Sequence, residues 1–235
     1  AKITTGLNEN KFGLALEDTL PAIRRAASLT NIQFIGLHFH IGSQITELDS
    51  YRELCIRINE LQSSLEEEGI FVPTLNVGGG LGVNYTAPDT EAIPDFASYF
   101  TIFKQELQLR EGQSVHFELG RSIVAQCGSL ISRVLYVKEG HSKRFVIVDA
   151  GMTDLIRPAM YGSTHQIDNL SHPEAPKASF DVVGPICESS DVFATDYVMP
   201  TPQRGDLLAF RSAGAYGEIM ASQYNCRRLP GHIAE

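Results

Sequence analysis

Across its first 125 residues the chain swings between two hydrophobic periods, and this alternation limits the folds open to it more than any other feature. From Leu16 to Leu29 the apolar residues Leu16, Leu20, Ile23, Ala26 and Ala27 recur at helical spacing. Phe34 to Ile41 is a short, dense apolar run of strand length. Leu48, Tyr51, Leu54, Cys55, Ile58, Leu61 and Leu65 then trace the apolar stripe of a long helix, which Gly69 closes. Leu75-Asn76-Val77 predicts a brief strand running into glycines. Phe96 to Leu107 predicts a helix with Pro94 near its first turn, and Val115 to Leu119 another strand. Strands that alternate with helices in this way are parallel and joined by crossovers. Only three or four such units are present, too few to close an eight-stranded barrel.

After Arg121 the texture changes. Leu130 to Val137, Arg144 to Val148, Phe180 to Val183 and Asp206 to Phe210 are β-rich runs separated by stretches of Gly, Pro, Ser and Asp. The expectation is two domains, residues 1–125 of α/β type and 126–235 rich in β-structure. Junctions of this kind often hold ligand sites. The net charge of -9 argues against a nucleic-acid backbone or an anionic membrane as partner, and no apolar run approaches the length of a membrane-spanning helix. Cys55, Cys127, Cys187 and Cys226 are widely spaced without a C-x-x-C pair, which favours reduced thiols and a cytoplasmic setting over disulfides or a zinc site. The opening Ala1-Lys2-Ile3-Thr4 has neither an initiator Met nor a signal-peptide pattern and reads as a chain entered partway through.

Several strings sit where strands end. Gly78-Gly79-Gly80 follows the Leu75 strand, and glycines there allow backbone N–H groups to approach a phosphate; a plain flexible loop is the alternative. The pattern is not a Rossmann fingerprint, and no Walker lysine follows. His38 and His40 lie two residues apart and so share a strand face. His38 is expected as a core histidine, while His40 divides evenly between core and ligand roles. Ser43 lies just beyond, in reach of a phosphate oxygen. Glu118-Leu119-Gly120-Arg121 ends the last α/β-type strand: an ion pair, or a carboxylate and an arginine facing a site mouth. In the β-rich part, Cys187-Glu188-Ser189-Ser190-Asp191 follows Gly184-Pro185, and Cys187 on its own pattern fits a buried structural thiol. Arg157 and Tyr161 are spaced by four, and Tyr216 stands among small residues.

Taken together, His38-Phe39-His40-Ile41-Gly42-Ser43-Gln44, Gly78-Gly79-Gly80, Glu118-Leu119-Gly120-Arg121, Asp149 to Tyr161, Cys187 to Asp191 and Ala213-Gly214-Ala215-Tyr216-Gly217 resemble the fold-type III pyridoxal-phosphate-dependent decarboxylases. Six motifs in the family's order span nearly the whole chain. The resemblance implies the C-terminal part of a (β/α)8 barrel followed by a mostly antiparallel β domain. It implies pyridoxal 5'-phosphate as cofactor, an amino acid as small-molecule substrate, and a homodimer with shared active sites. His40 would stack on the pyridine ring. Ser43, Gly78, Gly79, Gly80, Gly120 and Arg121 would cradle the phosphate, and Glu118 would keep the ring nitrogen protonated. Tyr216 would touch cofactor and substrate. Arg121, Arg157 and Tyr161 would hold a distal carboxylate, Glu188 a distal ammonium, and Cys187, from the partner subunit, would be the proton donor.

A far end needing both an arginine and a carboxylate is zwitterionic. That favours the branch converting meso-2,6-diaminopimelate to L-lysine and CO2 over siblings acting on ornithine, arginine or carboxynorspermidine, or a non-catalytic regulatory homologue. Two departures stand out. Leu119 replaces the family's usual proline, a matter of rigidity more than chemistry. None of Lys2, Lys11, Lys104, Lys138, Lys143 or Lys177 stands in the family's Schiff-base motif. The expectation is therefore a chain without the first part of its barrel, inactive by itself.

Overall fold

The computed structural model describes residues 11–90 and 94–234; the Ala1 segment lies outside them. The chain divides into two compact units. The first runs to Gly82 and resumes from Pro94 to Gly120, and the second takes the segment from Val83 together with everything from Arg121 onward.

In the first unit, helix α1 (Leu16–Ala27) precedes strand β1 (Gly36–His38), helix α2 (Asp49–Glu67), strand β2 (Thr74–Asn76), helix α3 (Phe96–Glu106) and strand β3 (Ser114–His116). The strands form a parallel sheet in the order β1-β2-β3, with Leu37 aligned on Leu75 and Leu75 on Val115. This is the βα alternation that the two periodicities demand. The stripe of α2 buries Tyr51, Leu54, Cys55, Ile58 and Leu65 against Leu75 and Val77, with Tyr99, Ile102 and Phe103 of α3 in the same core. Tyr51 and Tyr99 meet edge to face, with ring centroids 4.8 Å apart. Burial pushes the Cys55 thiol up to about 11, and Glu106 pushes it the same way, so it stays a protonated, inert packing group. The strands are shorter than their apolar runs. Only three residues of the run from Phe34 to Ile41 pair as a strand, because the chain beyond His38 bends into loops that bond to neighbouring loops.

The second unit contains β4 (Leu130–Glu139), β5 (Arg144–Val148), the one-turn helix α4 (Arg157–Tyr161), β6 (Ile167–Asn169), β7 (Lys177–Val183), β8 (Val192–Pro200) and β9 (Leu207–Phe210). A further short helix, Gly120–Val124, straddles the division between the units. The six strands form one sheet in the order β6-β9-β4-β5-β7-β8, antiparallel except for the β5–β7 pair. Its core gathers Val134, Val146, Val148, Phe180, Phe193, Met199, Leu208 and Phe210. Strand β8 is absent from the apolar pattern because Asp196, at φ +50°, interrupts it; the Asp196 N–H donates to the Asp181 carboxylate at 2.8 Å.

The segment from Val83 lies in sequence inside the α/β half, yet it belongs to the second unit. Val83 and Tyr85 are buried with Ala125 and Ala215. Gln166 N–H donates to the Tyr85 carbonyl at 2.9 Å, and the Arg211 guanidinium grips Asp89 through two hydrogen bonds of 2.7 and 3.1 Å. An aromatic residue and a bidentate ion pair fix the segment there.

The fully buried Tyr99 supplies a test of the first unit's packing. Among the described residues its hydroxyl has no hydrogen-bond partner, which makes the oxygen a cost rather than a gain. Tyr99→Phe should leave stability unchanged or raise it by about 1–2 kcal/mol. Tyr99→Ala should lose about 3–5 kcal/mol. Urea unfolding of the two variants beside the parent protein checks both values.

Candidate active site

The three parallel strands of the first unit end in one register row, His38, Asn76 and His116. The loops that follow are stitched together by their backbones. Phe39 N–H donates to the Asn76 carbonyl at 2.8 Å, Val77 N–H to His116 at 3.0 Å, and Glu118 N–H to Gly78 at 2.8 Å. Ile45 N–H donates to the Gly80 carbonyl at 2.8 Å, and Gly82 N–H returns a bond to Ile45 at 2.9 Å. His40, Ser43, Gly78, Gly79, Gly80 and Glu118 therefore stand on strand-end loops at one edge of one sheet. Gly120 opens the short helix after β3.

The glycines are there because these loops touch. A Cβ on Gly78 would collide with the Phe39 carbonyl, one on Gly79 with the Glu118 carbonyl, and one on Gly80 with the Gly42 carbonyl. Gly78 and Gly80 also hold φ of +71° and +94°. The run is a packing joint, not a flexible loop. Gly78 N–H donates to the Asn76 side chain at 2.9 Å. Among the described residues, the N–H groups of Gly79 and Gly80 donate to no protein acceptor. Two adjacent amides without acceptors fit an anion such as a phosphate.

His38 and Asn76 are aligned in register, and the side chains of both reach Glu118. The Glu118 carboxylate is half-exposed; one oxygen accepts from Asn76 Nδ2 at 2.9 Å, and the other lies 3.4 Å from His38 Nε2. A carboxylate held at an open strand end by an amide is what a protonated ring nitrogen requires. His38, expected in the core, is exposed and faces Glu118 instead, because the strand stops at that residue and, among the described residues, nothing covers its side chain. Asn76 orients both Glu118 and Gly78 and was not singled out by the motifs. Its sequence signal is a lone amide inside the apolar Leu75–Val77 strand.

The second unit holds a different cluster. Arg157, in the single turn α4, is only 2% exposed. Its guanidinium lies 4.4 Å from the centroid of Tyr85 and 3.0 Å from His165 Nε2. Among the described residues no carboxylate pairs with it. Burial lowers its pKa first; the charge of Arg121 acts in the same direction, and the hydroxyls of Tyr85, Tyr161 and Tyr216 oppose it. Arg121, also buried, donates to the Tyr85 hydroxyl at 2.7 Å and lies 4.8 Å from the Tyr216 ring centroid. Tyr216 is held at φ +58° and remains partly exposed. Two guanidiniums thus share one tyrosine. A desolvated cation over an aromatic face gains about 2 kcal/mol, far from offsetting a buried charge by itself. An anion paired with Arg157 would offset that cost. Of the cluster's members, Tyr85 and His165 escape sequence motifs because they lie far apart along the chain.

The loop from Gly184 to Asp191 is clasped by the buried Asp191 carboxylate, which accepts from Ile186 N–H at 2.7 Å and Met152 N–H at 2.6 Å. The same carboxylate fills the space where a Cβ on Gly184 would lie. The clasp displays Cys187 and Glu188 at the surface, which overturns the expectation, from pattern alone, of a buried structural thiol at Cys187. Glu188 accepts from Ser190 N–H and from the hydroxyls of Ser189 and Ser190. The Ser190 N–H and then these hydroxyls hold its carboxyl below the usual range, so it is an anion at neutral pH. Among the described residues there is no cluster of metal ligands and no helix long and apolar enough to cross a membrane.

Comparison with known proteins places this geometry. A family described as pyridoxal-dependent decarboxylase, C-terminal sheet domain, matches residues 26–214. Diaminopimelate decarboxylase of Bacteroides thetaiotaomicron is 57% identical over 98% of this chain and 59% of its own length. The Neisseria meningitidis enzyme of the same name is 43% identical over 98% of the chain and 56% of its own length. The crystal structure of Helicobacter pylori diaminopimelate decarboxylase complexed with L-lysine superposes with a TM-score of 0.86 at 41% identity, covering 95% of this chain and 55% of that one. The chain thus spans somewhat more than half the length of the relatives it matches. Its strand-end loops, its β-domain and these matches agree: the chain belongs to the pyridoxal-dependent decarboxylases.

Proposed function

We propose that this chain forms the C-terminal portion of a diaminopimelate decarboxylase, an enzyme that uses pyridoxal phosphate to convert meso-2,6-diaminopimelate into L-lysine and CO2. The observation that carries the proposal is Arg157: a buried guanidinium without a carboxylate partner among the described residues, in a chain 57% identical to a protein of that name. A buried arginine serves a substrate whose far end bears a carboxylate and penalises one whose far end is only an amine.

The residues present fit the cofactor. Gly79 and Gly80 amides, with Gly78, Ser43, Gly120 and Arg121, would hold its phosphate; His40 would lie against its ring, and Glu118 would accept from the ring nitrogen. When bound, pyridoxal phosphate supplies an electron sink for the charge left as CO2 departs. The protein's own tasks are binding and proton delivery. Asn76 keeps the Glu118 carboxylate aimed. Arg157 and Arg121, with Tyr161 and Tyr216, would receive the substrate's distal carboxylate. Glu188, an anion at neutral pH, would receive its distal ammonium. Cys187 would hold at Sγ the proton that replaces the carboxyl group. Its exposure supports this role over the buried Cys55.

We further propose a homodimer in which Cys187 and Glu188 complete the partner's site. In support, the hydrogen bonds of Glu188 stay within its own loop, and none of them reaches the arginine cluster. Four cysteines free of disulfides accord with a cytoplasmic enzyme.

Two experiments on the full-length enzyme test these assignments. In CO2-release assays, Arg157→Ala should lower kcat/KM for diaminopimelate by roughly 10²–10³-fold, and the unaltered enzyme should turn over ornithine poorly. Equal turnover of ornithine and diaminopimelate would refute the substrate assignment. For shared sites, Cys187→Ala and Glu118→Gln should each be inactive alone but regain activity when mixed, since one site of a mixed dimer is then intact. Absence of recovery in mixtures that exchange subunits would refute sharing.

A further inference from the structure

The contacts of Arg157 point to a residue outside the motifs. His165 is buried, with Nδ1 2.8 Å from the Arg211 carbonyl and Nε2 3.0 Å from an Arg157 nitrogen. A carbonyl only accepts and a guanidinium only donates. Nδ1 must therefore carry the hydrogen, and Nε2 must present its lone pair to Arg157. The ring is fixed as one neutral tautomer by two partners that allow no other. A protonated ring would bring an N–H against an N–H beside two guanidiniums. Burial foremost, then the charges of Arg157 and Arg121, depress His165 to about 4.

A carboxylate acceptor at this place would give the stronger bond to arginine. A carboxylate would also neutralise Arg157 and compete with any anionic ligand. A neutral imidazole orients the guanidinium and leaves its charge available. The Tyr85 ring, 5.1 Å from that of His165 and crossed edge-on, carries Arg157 on its face and binds Arg121 through its hydroxyl.

We propose that His165 is a positioning residue for distal-carboxylate recognition, holding Arg157 in its binding geometry as an obligate neutral acceptor. This rests on the substrate reading given above. It concerns residues at the arginine cluster only and needs no feature of the cofactor.

The test uses the full-length holoenzyme and two variants. His165→Leu keeps bulk without an acceptor. His165→Gln offers a side-chain oxygen where Nε2 stood. Equilibrium dissociation constants are measured for L-lysine, which carries the carboxylate that remains after reaction, and for cadaverine, which lacks it. His165→Leu should weaken L-lysine about tenfold or more, the worth of one hydrogen bond to a charged group, and leave cadaverine within about twofold. KM for diaminopimelate should rise in parallel while kcat stays within about threefold, and His165→Gln should restore L-lysine binding to within about threefold of the parent. Unchanged L-lysine affinity in His165→Leu, or equal weakening of both ligands, would overturn the proposal. If His165→Leu does not fold, a folded His165→Gln with tenfold weaker L-lysine binding overturns it, and one with parent-like binding upholds it. Failure of the parent enzyme to release CO2 from diaminopimelate would instead defeat the substrate reading, a result these ligand comparisons do not imitate.

Discussion

Three parallel strands present their carboxyl ends side by side only if the loops leaving them can pack, and here they pack with backbone against backbone. The Gly78 to Gly80 run is where this happens, each residue occupying a place where a Cβ would strike a neighbouring carbonyl. The bonds that close this joint bring His40, the glycine amides and Glu118 to one edge. Without it the first unit would still have a helical core, since Tyr51, Ile58, Leu65 and Tyr99 need only the sheet's apolar face. It would not bring these groups to one edge. Packing and chemistry here draw on one constraint, so substitution of these glycines would disturb both together.

The second unit solves a different problem, that of keeping positive charge buried without spending it. Elsewhere in it cations are paired with carboxylates, as Arg211 with Asp89 or Lys143 with Asp181. At Arg157 the neighbours are instead a neutral imidazole and an aromatic face. Such a site is unstable relative to a paired one, and the difference is available to a ligand that brings its own carboxylate. The clasp of Asp191 works by the opposite choice. There a buried carboxylate is satisfied by backbone N–H groups, and what it gains is a fixed loop shape that leaves Cys187 and Glu188 outside.

Much of this was legible in the sequence. Helical spacing located the buried stripe of α2 down to Cys55, and parallel topology followed from the alternation of periods. The motifs named Gly78 to Gly80, Glu118, Arg121, Arg157 and Tyr216 because these residues occur in recognisable strings. Periodicity failed where tertiary contacts overrode it. The strand at Phe34 stops after His38, so a histidine that pattern assigns to the core stands exposed beside Glu118. Strand β8 is interrupted at Asp196, and its pattern blurs. Val83 to Asp89 sits between two elements of the first unit but owes its place to Tyr85 and Asp89, whose partners Gln166 and Arg211 lie far along the chain. Asn76, Tyr85 and His165 act on other side chains rather than on a ligand, and no local string records such a role.

The strand-end loops are proposed to hold the cofactor, and the buried arginine a carboxylate of the substrate. A crystal structure of the full-length enzyme with pyridoxal phosphate and L-lysine bears on this most directly. Expected there are a Glu118 carboxylate oxygen about 2.6–3.0 Å from the ring nitrogen, phosphate oxygens on the Gly79 and Gly80 amides, and the lysine carboxylate on Arg157. A cofactor seated away from the Gly78–Gly80 joint, or a ring nitrogen that faces no carboxylate, would contradict the proposal.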